Sequence, residues 1–144
     1  MDKKKYNIMH IDDNLQLMEF IDEIIDEINQ DNVGIEIAYT MFTKPDDLCN
    51  QLTHEIPDLI ISDLMLETGE EFEDPTESGV NLIKTIKKQD HYKDIKILVY
   101  SARGDDFLKN ELTPYIVGYC TKRIADSEFK QQIINCLTGV NNEK

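Results

Sequence analysis

Between Pro57 and Asp63 lies Leu59-Ile60-Ile61-Ser62, a short run, mostly apolar and β-branched, that ends on an acid. A run of this length and kind fits a strand covered on both faces, as in a parallel sheet. Asp63 then falls at the carboxyl end of that strand, the edge where open α/β sheets bind their ligands. The start of the chain has the same arrangement. Tyr6 to Ile11 reads as a strand, and Asp12-Asp13-Asn14 follows directly. If the two strands are parallel neighbours, Asp12, Asp13 and Asp63 converge on one edge. Three carboxylates so close at neutral pH need a cation, or one of them must hold a proton. An all-oxygen set of this kind suits a hard ion such as Mg²⁺, which keeps some of its waters.

The rest of the chain alternates in the same way. Leu17, Met18, Ile21, Ile24, Ile25 and Ile28 form a helical stripe with acids opposite, and Asn14 or Asp13 can cap its first turn. Val33 to Tyr39 alternates as a second strand. Lys44-Pro45-Asp46 opens a second helix that should end before Pro57. Val80, Leu82, Ile83 and Ile86 mark a third helix, closing on Lys87 and Lys88. Ile95 to Tyr100 is the clearest strand. Phe107, Leu108 and Leu112 mark a fourth helix, stopped before Pro114, and Tyr115 to Tyr119 reads as a fifth strand. Asp126 or Ser127 should cap a last helix carrying Phe129, Ile133, Ile134 and Leu137, with Gly139 after it. Five strands alternating with five helices call for an α/β fold: one five-stranded parallel sheet with helices on both faces.

At 144 residues the chain fits one domain with a proper core. The 29 acids against 15 bases give a net charge of −14, which disfavours nucleic acid and anionic membranes as partners. No apolar run approaches the roughly 20 residues of a membrane span, and the start lacks the apolar core of a signal peptide. Cys49, Cys120 and Cys136 have no metal-site spacing, which fits a reducing, cytoplasmic setting. His10 is expected in the core, with His54 and His91 exposed.

With Asp12-Asp13 after the first strand, Asp63 after the third, Ser101-Ala102 after Ile97-Leu98-Val99-Tyr100, Tyr119 on the fifth and Lys122 three residues later, the chain resembles the receiver domains of two-component response regulators. The resemblance runs from Lys4 to about Leu137 and implies the chemotaxis-regulator, flavodoxin-like (βα)5 fold. Each residue alone has a plainer reading, as a helix cap, a strand-end hydroxyl, a core aromatic or a surface lysine. Their joint occurrence, each at its own strand end, outweighs those readings.

The resemblance implies Mg²⁺-dependent transfer of a phosphoryl group from a histidine kinase or histidine phosphotransfer protein to Asp63. Such a transfer needs an in-line nucleophile and positive charge on the equatorial oxygens. By the same likeness, Asp12, Asp13, Asp63 and the backbone carbonyl of Met65 would hold the ion. Lys122 and the Ser101 hydroxyl would bind the phosphoryl oxygens. Tyr119 would swing inward behind Ser101, shifting the face built from helix four, strand five and helix five, through which a downstream protein or a second copy of the chain would dock. The bases Lys109, Lys122, Arg123 and Lys130 fall near that face. Met65 and Arg103 occupy positions that tune the phosphoryl lifetime. The chain would be a stand-alone receiver and no conventional enzyme, catalysing only its own phosphorylation and dephosphorylation. The competing reading is a pseudo-receiver, an interaction module that never takes phosphate. The intact set of Asp12, Asp13, Asp63, Ser101 and Lys122 argues against it. An aspartate-nucleophile hydrolase would carry a second Asp where Met65 stands, and a flavodoxin would need a hydroxyl- and glycine-rich loop where Asp12-Asp13-Asn14-Leu15 stands.

Two departures from the family pattern carry expectations. Lys122 precedes Arg123, where the family usually has proline after a cis bond. Without proline a cis bond costs about 2.5–4 kcal/mol, so either a trans bond with a shifted loop or a strained cis bond is expected. Gly79 comes sixteen residues after Asp63, later than in the family, and residues 67–78 form an acidic insertion. That insertion is expected to be a solvated loop, or a lid or docking element with Phe72 as its apolar contact. Asp74-Pro75-Thr76-Glu77 also reads as a helix start.

Overall fold

The computed structural model describes residues 3–31, 34–64, 75–102 and 106–139. The five strands are β1 (Lys4–Ile11), β2 (Ile35–Phe42), β3 (Leu59–Ser62), β4 (Lys96–Ser101) and β5 (Gly118–Thr121). They form one sheet in the order β2-β1-β3-β4-β5, with every pairing parallel. The α-helices among the described residues are α1 (Leu15–Asp31), α2 (Pro45–Leu52), α3 (Pro75–Lys87), α4 (Asp106–Leu112) and α5 (Asp126–Thr138).

The sheet separates two cores. On one face Tyr6, Ile8, Ile61 and Leu98 pack under Ile21, Ile25 and Ile28 of α1 and under Phe129 and Ile133 of α5. On the other, Met9, Ile11, Ile60, Ile97 and Val99 pack under α2, α3 and α4. Both faces of β3 are buried, which is why Leu59-Ile60-Ile61-Ser62 shows no polar alternation. No described helix is long and apolar enough to cross a membrane.

Several elements depart from their expected bounds. β2 begins at Ile35 and runs on to Phe42. β5 begins at Gly118, because Thr113–Tyr115, which contains Pro114, is a turn of 3₁₀ helix. A second 3₁₀ turn, Asp90–Tyr92, joins α3 to β4. The position before α5 is Ala125, with no side-chain cap, so neither Asp126 nor Ser127 caps that helix; both lie in its first turn. Gly139 closes α5 in the left-handed conformation, with φ 76°. Phe107 marks α4 but points outward, 75% exposed. α3 begins at Pro75, so the last four residues of the expected insertion are helical. Asp74, Phe72 and the rest of 67–74 lie outside the described residues.

Gly79 explains how α3 seats against the sheet. Its N–H donates to the Leu64 carbonyl at 3.1 Å. A Cβ at this position would stand 2.2 Å from that oxygen and 2.3 Å from the Leu64 Cα. Only a residue without a side chain lets the helix backbone come this close to the residue following Asp63.

Candidate functional site

The register sets the site. Ile11 of β1 pairs with Ser62 of β3, so the next residues, Asp12 and Asp63, leave the sheet side by side. The backbone continues the ladder past both strands: Asp63 N–H donates to the Ile11 carbonyl at 3.0 Å, and Asp12 N–H to the Phe42 carbonyl at 3.1 Å. Asp12, Asp13 and Asp63 each bring a carboxylate oxygen within 4.8 Å of the others. Asp12 and Asp63 are buried, while Asp13 is reached by solvent.

Local hydrogen bonds aim these carboxylates. Asn14 N–H donates to Asp12 Oδ1 at 2.9 Å, and Gln16 N–H to Asn14 Oδ1 at 3.0 Å, so Asn14 is the residue that caps α1. Leu64 N–H donates to Asp63 Oδ1 at 2.8 Å. Ser101, fully buried at the end of β4, accepts the Lys122 N–H on its carbonyl at 2.8 Å, which ties the loop after β5 to the site.

Lys122 reaches both buried acids. Its Nζ donates to Asp63 Oδ2 at 3.2 Å and lies 2.9 Å from Asp12 Oδ2. The second contact is a short ion pair. Lys122 also lies 6.0 Å from the centroid of the Tyr100 ring. Burial pulls the lysine pKa down, but the pairing with Asp12 and Asp63 outweighs it and the net shift is upward. Asp12 is pushed up, by burial first and by Asp63 as well, against the Asn14 N–H and Lys122, which favour its charged form. Three carboxylates share one ammonium, so the pocket is short of positive charge even with Lys122 in it.

Those facts bear on whether a metal fits. Two buried acids, one accessible acid, a buried carboxylate oxygen without a hydrogen bond, and a donor set made only of oxygen match a hard divalent ion. Mg²⁺ fits these residues.

The structure thus brings Asp12, Asp13, Asp63 and Lys122 into one site, with Ser101 at the same sheet edge. Tyr119 lies on β5, half-buried, its ring 5.5 Å from Lys109 Nζ. Met65 and Arg103 lie outside the described residues. No described peptide bond is cis, so Lys122-Arg123 is trans, and the ammonium still reaches both acids. Among the bases expected near the switch face, Lys130 pairs with Glu27 of α1 at 2.7 Å.

One pair was missed in the sequence. His10 is fully buried, as expected, but it lies beside the site: its Nε2 is 3.9 Å from Asp12 Oδ2, and its Nδ1 is 2.7 Å from the Tyr39 hydroxyl. The signal was the two-residue period. Asp12, just past the end of β1, follows His10 by two residues, and Tyr39 shares the inward face of β2 with Ile35 and Ile37.

No curated protein matches the chain. Solved structures of this fold are numerous. The Vibrio cholerae chemotaxis protein CheY4 is 16% identical and superposes with a TM-score of 0.71, over 93% of this chain and 100% of that one. The signal receiver domain of a signal transduction histidine kinase from Syntrophus aciditrophicus is 19% identical, with a TM-score of 0.69 over 96% and 95%. A response regulator from Thermotoga maritima is 18% identical, with a TM-score of 0.69 over 94% and 99%. At such identities the likeness is one of fold. The family of response regulator receiver domains matches residues 8–134, which include Asp12, Asp13, Asp63, Ser101 and Lys122, and the chain belongs to that family.

Proposed function

We propose that the chain accepts a phosphoryl group on Asp63 from a histidine kinase or histidine phosphotransfer protein, in a Mg²⁺-dependent reaction. The observation that carries this reading is the meeting of Asp12, Asp13 and Asp63 within 4.8 Å, with Lys122 bound to Asp63. In the transfer, an Asp63 oxygen forms the new bond to phosphorus as the bond to the donor imidazole nitrogen breaks. Asp12, Asp13 and Asp63 would hold the ion, with the backbone carbonyl of Met65 as a further ligand. The bound ion supplies positive charge against the phosphoryl oxygens. Leu64 N–H orients the Asp63 carboxylate before reaction. Lys122, already between the two buried acids, turns its charge to a phosphoryl oxygen, and the Ser101 hydroxyl donates to another.

The same reading assigns output to docking. Occupation of Ser101 by the phosphoryl group draws Tyr119 inward and shifts the face built from α4, β5 and α5 toward a form that a downstream protein recognises. Met65 and Arg103 tune how long the phosphoryl group survives. The chain is on this account a protein that modifies itself and not a conventional enzyme.

The test is incubation of the full chain with acetyl phosphate, with and without Mg²⁺, read by intact mass. The expected result is a gain of one phosphoryl group only with Mg²⁺, abolished in Asp63→Asn. No gain with Mg²⁺ and a competent donor would support the pseudo-receiver instead.

A further inference from the structure

The Asp12 carboxylate has a neighbour that the proposed phosphorylation chemistry does not use. His10 sits on β1, two residues before Asp12, and is fully buried. His10 Nε2 and Asp12 Oδ2 are buried atoms without hydrogen-bond partners, and they face each other at 3.9 Å. Oδ2 is ion-paired with Lys122 at 2.9 Å, so His10 Nε2 is the atom of the two left with neither a hydrogen bond nor a charge partner of its own. A shift of about 1 Å would bring Nε2 within hydrogen-bonding distance of Oδ2.

The other ring nitrogen decides whether Nε2 carries a proton. Tyr39 Oη lies 2.7 Å from His10 Nδ1 and 3.4 Å from Met41 Sδ. Its single hydroxyl proton goes to the better acceptor. With Nε2 3.9 Å from a carboxylate oxygen, a proton on Nε2 is attracted and a lone pair there is repelled, so the hydroxyl turns its proton to Nδ1 and away from the Met41 thioether, a weak acceptor. Nδ1 is then the acceptor and Nε2 carries the hydrogen.

We infer that His10 is a positioning residue: held as the Nε2–H tautomer by the Tyr39 hydroxyl, it donates to Asp12 Oδ2 and fixes that carboxylate for the divalent ion. Asn14 N–H holds Oδ1 from the loop side, and His10 would hold Oδ2 from the sheet side. With both oxygens held, the carboxylate plane is set before the ion arrives. Groups that orient a metal ligand in this way typically change affinity by 10–100-fold when removed. The inference rests on the proposed Mg²⁺ site.

Two measurements on the full chain test it. Ring-nitrogen NMR of the histidine-labelled protein reads the tautomer without any cation. Nε2–H is expected in the wild type, with a shift toward Nδ1–H in Tyr39→Phe. Calorimetric titration with Mg²⁺ should show about tenfold weaker binding in His10→Phe. His10→Gln, which keeps an amide donor, should recover much of the loss. If His10→Phe fails to fold, Tyr39→Phe serves in its place and should also bind Mg²⁺ more weakly. An Nδ1–H tautomer in the wild type, or equal Mg²⁺ affinity in wild type and variant, would overturn the inference. A wild type that binds no Mg²⁺ at all would overturn the proposed function instead, a distinct result.

Discussion

Lys122 does two jobs from one ammonium group, touching Asp12 at 2.9 Å and Asp63 at 3.2 Å. Removing one partner of a buried charge pair leaves the other uncompensated. Lys122→Ala should therefore push Asp12 further up and slow phosphoryl transfer to Asp63 by about 10²-fold, the scale of losing one preorganised charge-stabilising group. Lys122→Arg should not restore the rate, because a planar fork cannot serve as the compact charge that two converging acids share. Initial rates of labelling by acetyl phosphate check both. Among the thiols, Cys49 is exposed while Cys120 and Cys136 are buried. Burial is the main cause that pushes Cys120 up to about 11, from an ordinary value of 9.0. The sign follows from linkage. Between those values the unfolded chain gives up a proton that the folded chain keeps, so the contribution is complete below pH 9 and lost as pH rises through 11. Urea melts should show stability falling over this window, and Cys120→Ala should flatten the fall relative to its own value at pH 8. Parallel slopes would contradict it.

Among the elements, α3 gives the sharpest prediction. Alanine in place of a helical glycine ordinarily gains about 1 kcal/mol. At Gly79 the new Cβ would lie 2.2 Å from backbone that cannot rotate away. Overpacking of that kind costs roughly 1–3 kcal/mol or more, so the clash should win and Gly79→Ala should lower the urea midpoint. Gly34, with nothing within 4 Å of its Cβ position, is the control and should change stability by less than about 0.5 kcal/mol on conversion to Ala. The elements were legible in proportion to how local their causes are. The α1 stripe, the Lys44-Pro45 start of α2 and the β3 run announced themselves through spacing and β-branching. β5 did not, because Tyr115-Ile116-Val117 is as apolar as a strand. What starts the strand is pairing of Gly118 with Leu98 of β4, a tertiary fact. Phe107 misled for the same reason, since period alone does not say that a helix position lacks a neighbour.

For the whole molecule, the site is a consequence of strand order. Because β1 lies between β2 and β3, acids 51 positions apart in the chain leave adjacent strands together. Asp12, Asp13, Asp63, Ser101 and Lys122 were legible because each ends or follows a strand, and in a parallel sheet every strand ends at the same edge. The His10–Tyr39 pair was not, because its meaning depends on the contact between β1 and β2 and on which nitrogen the hydroxyl meets. The trans bond at Lys122-Arg123 was left open by the sequence, and the lysine reaches the acids with it. On the proposed function, this crowded anionic edge prepares one particular carboxylate. Borohydride reduction of the chain after acetyl phosphate treatment, followed by peptide mass mapping, locates the acyl phosphate directly. Conversion of Asp63 to homoserine, only in samples that contained Mg²⁺, is the predicted result; reduction at Asp12 or Asp13, or at no aspartate, would contradict it.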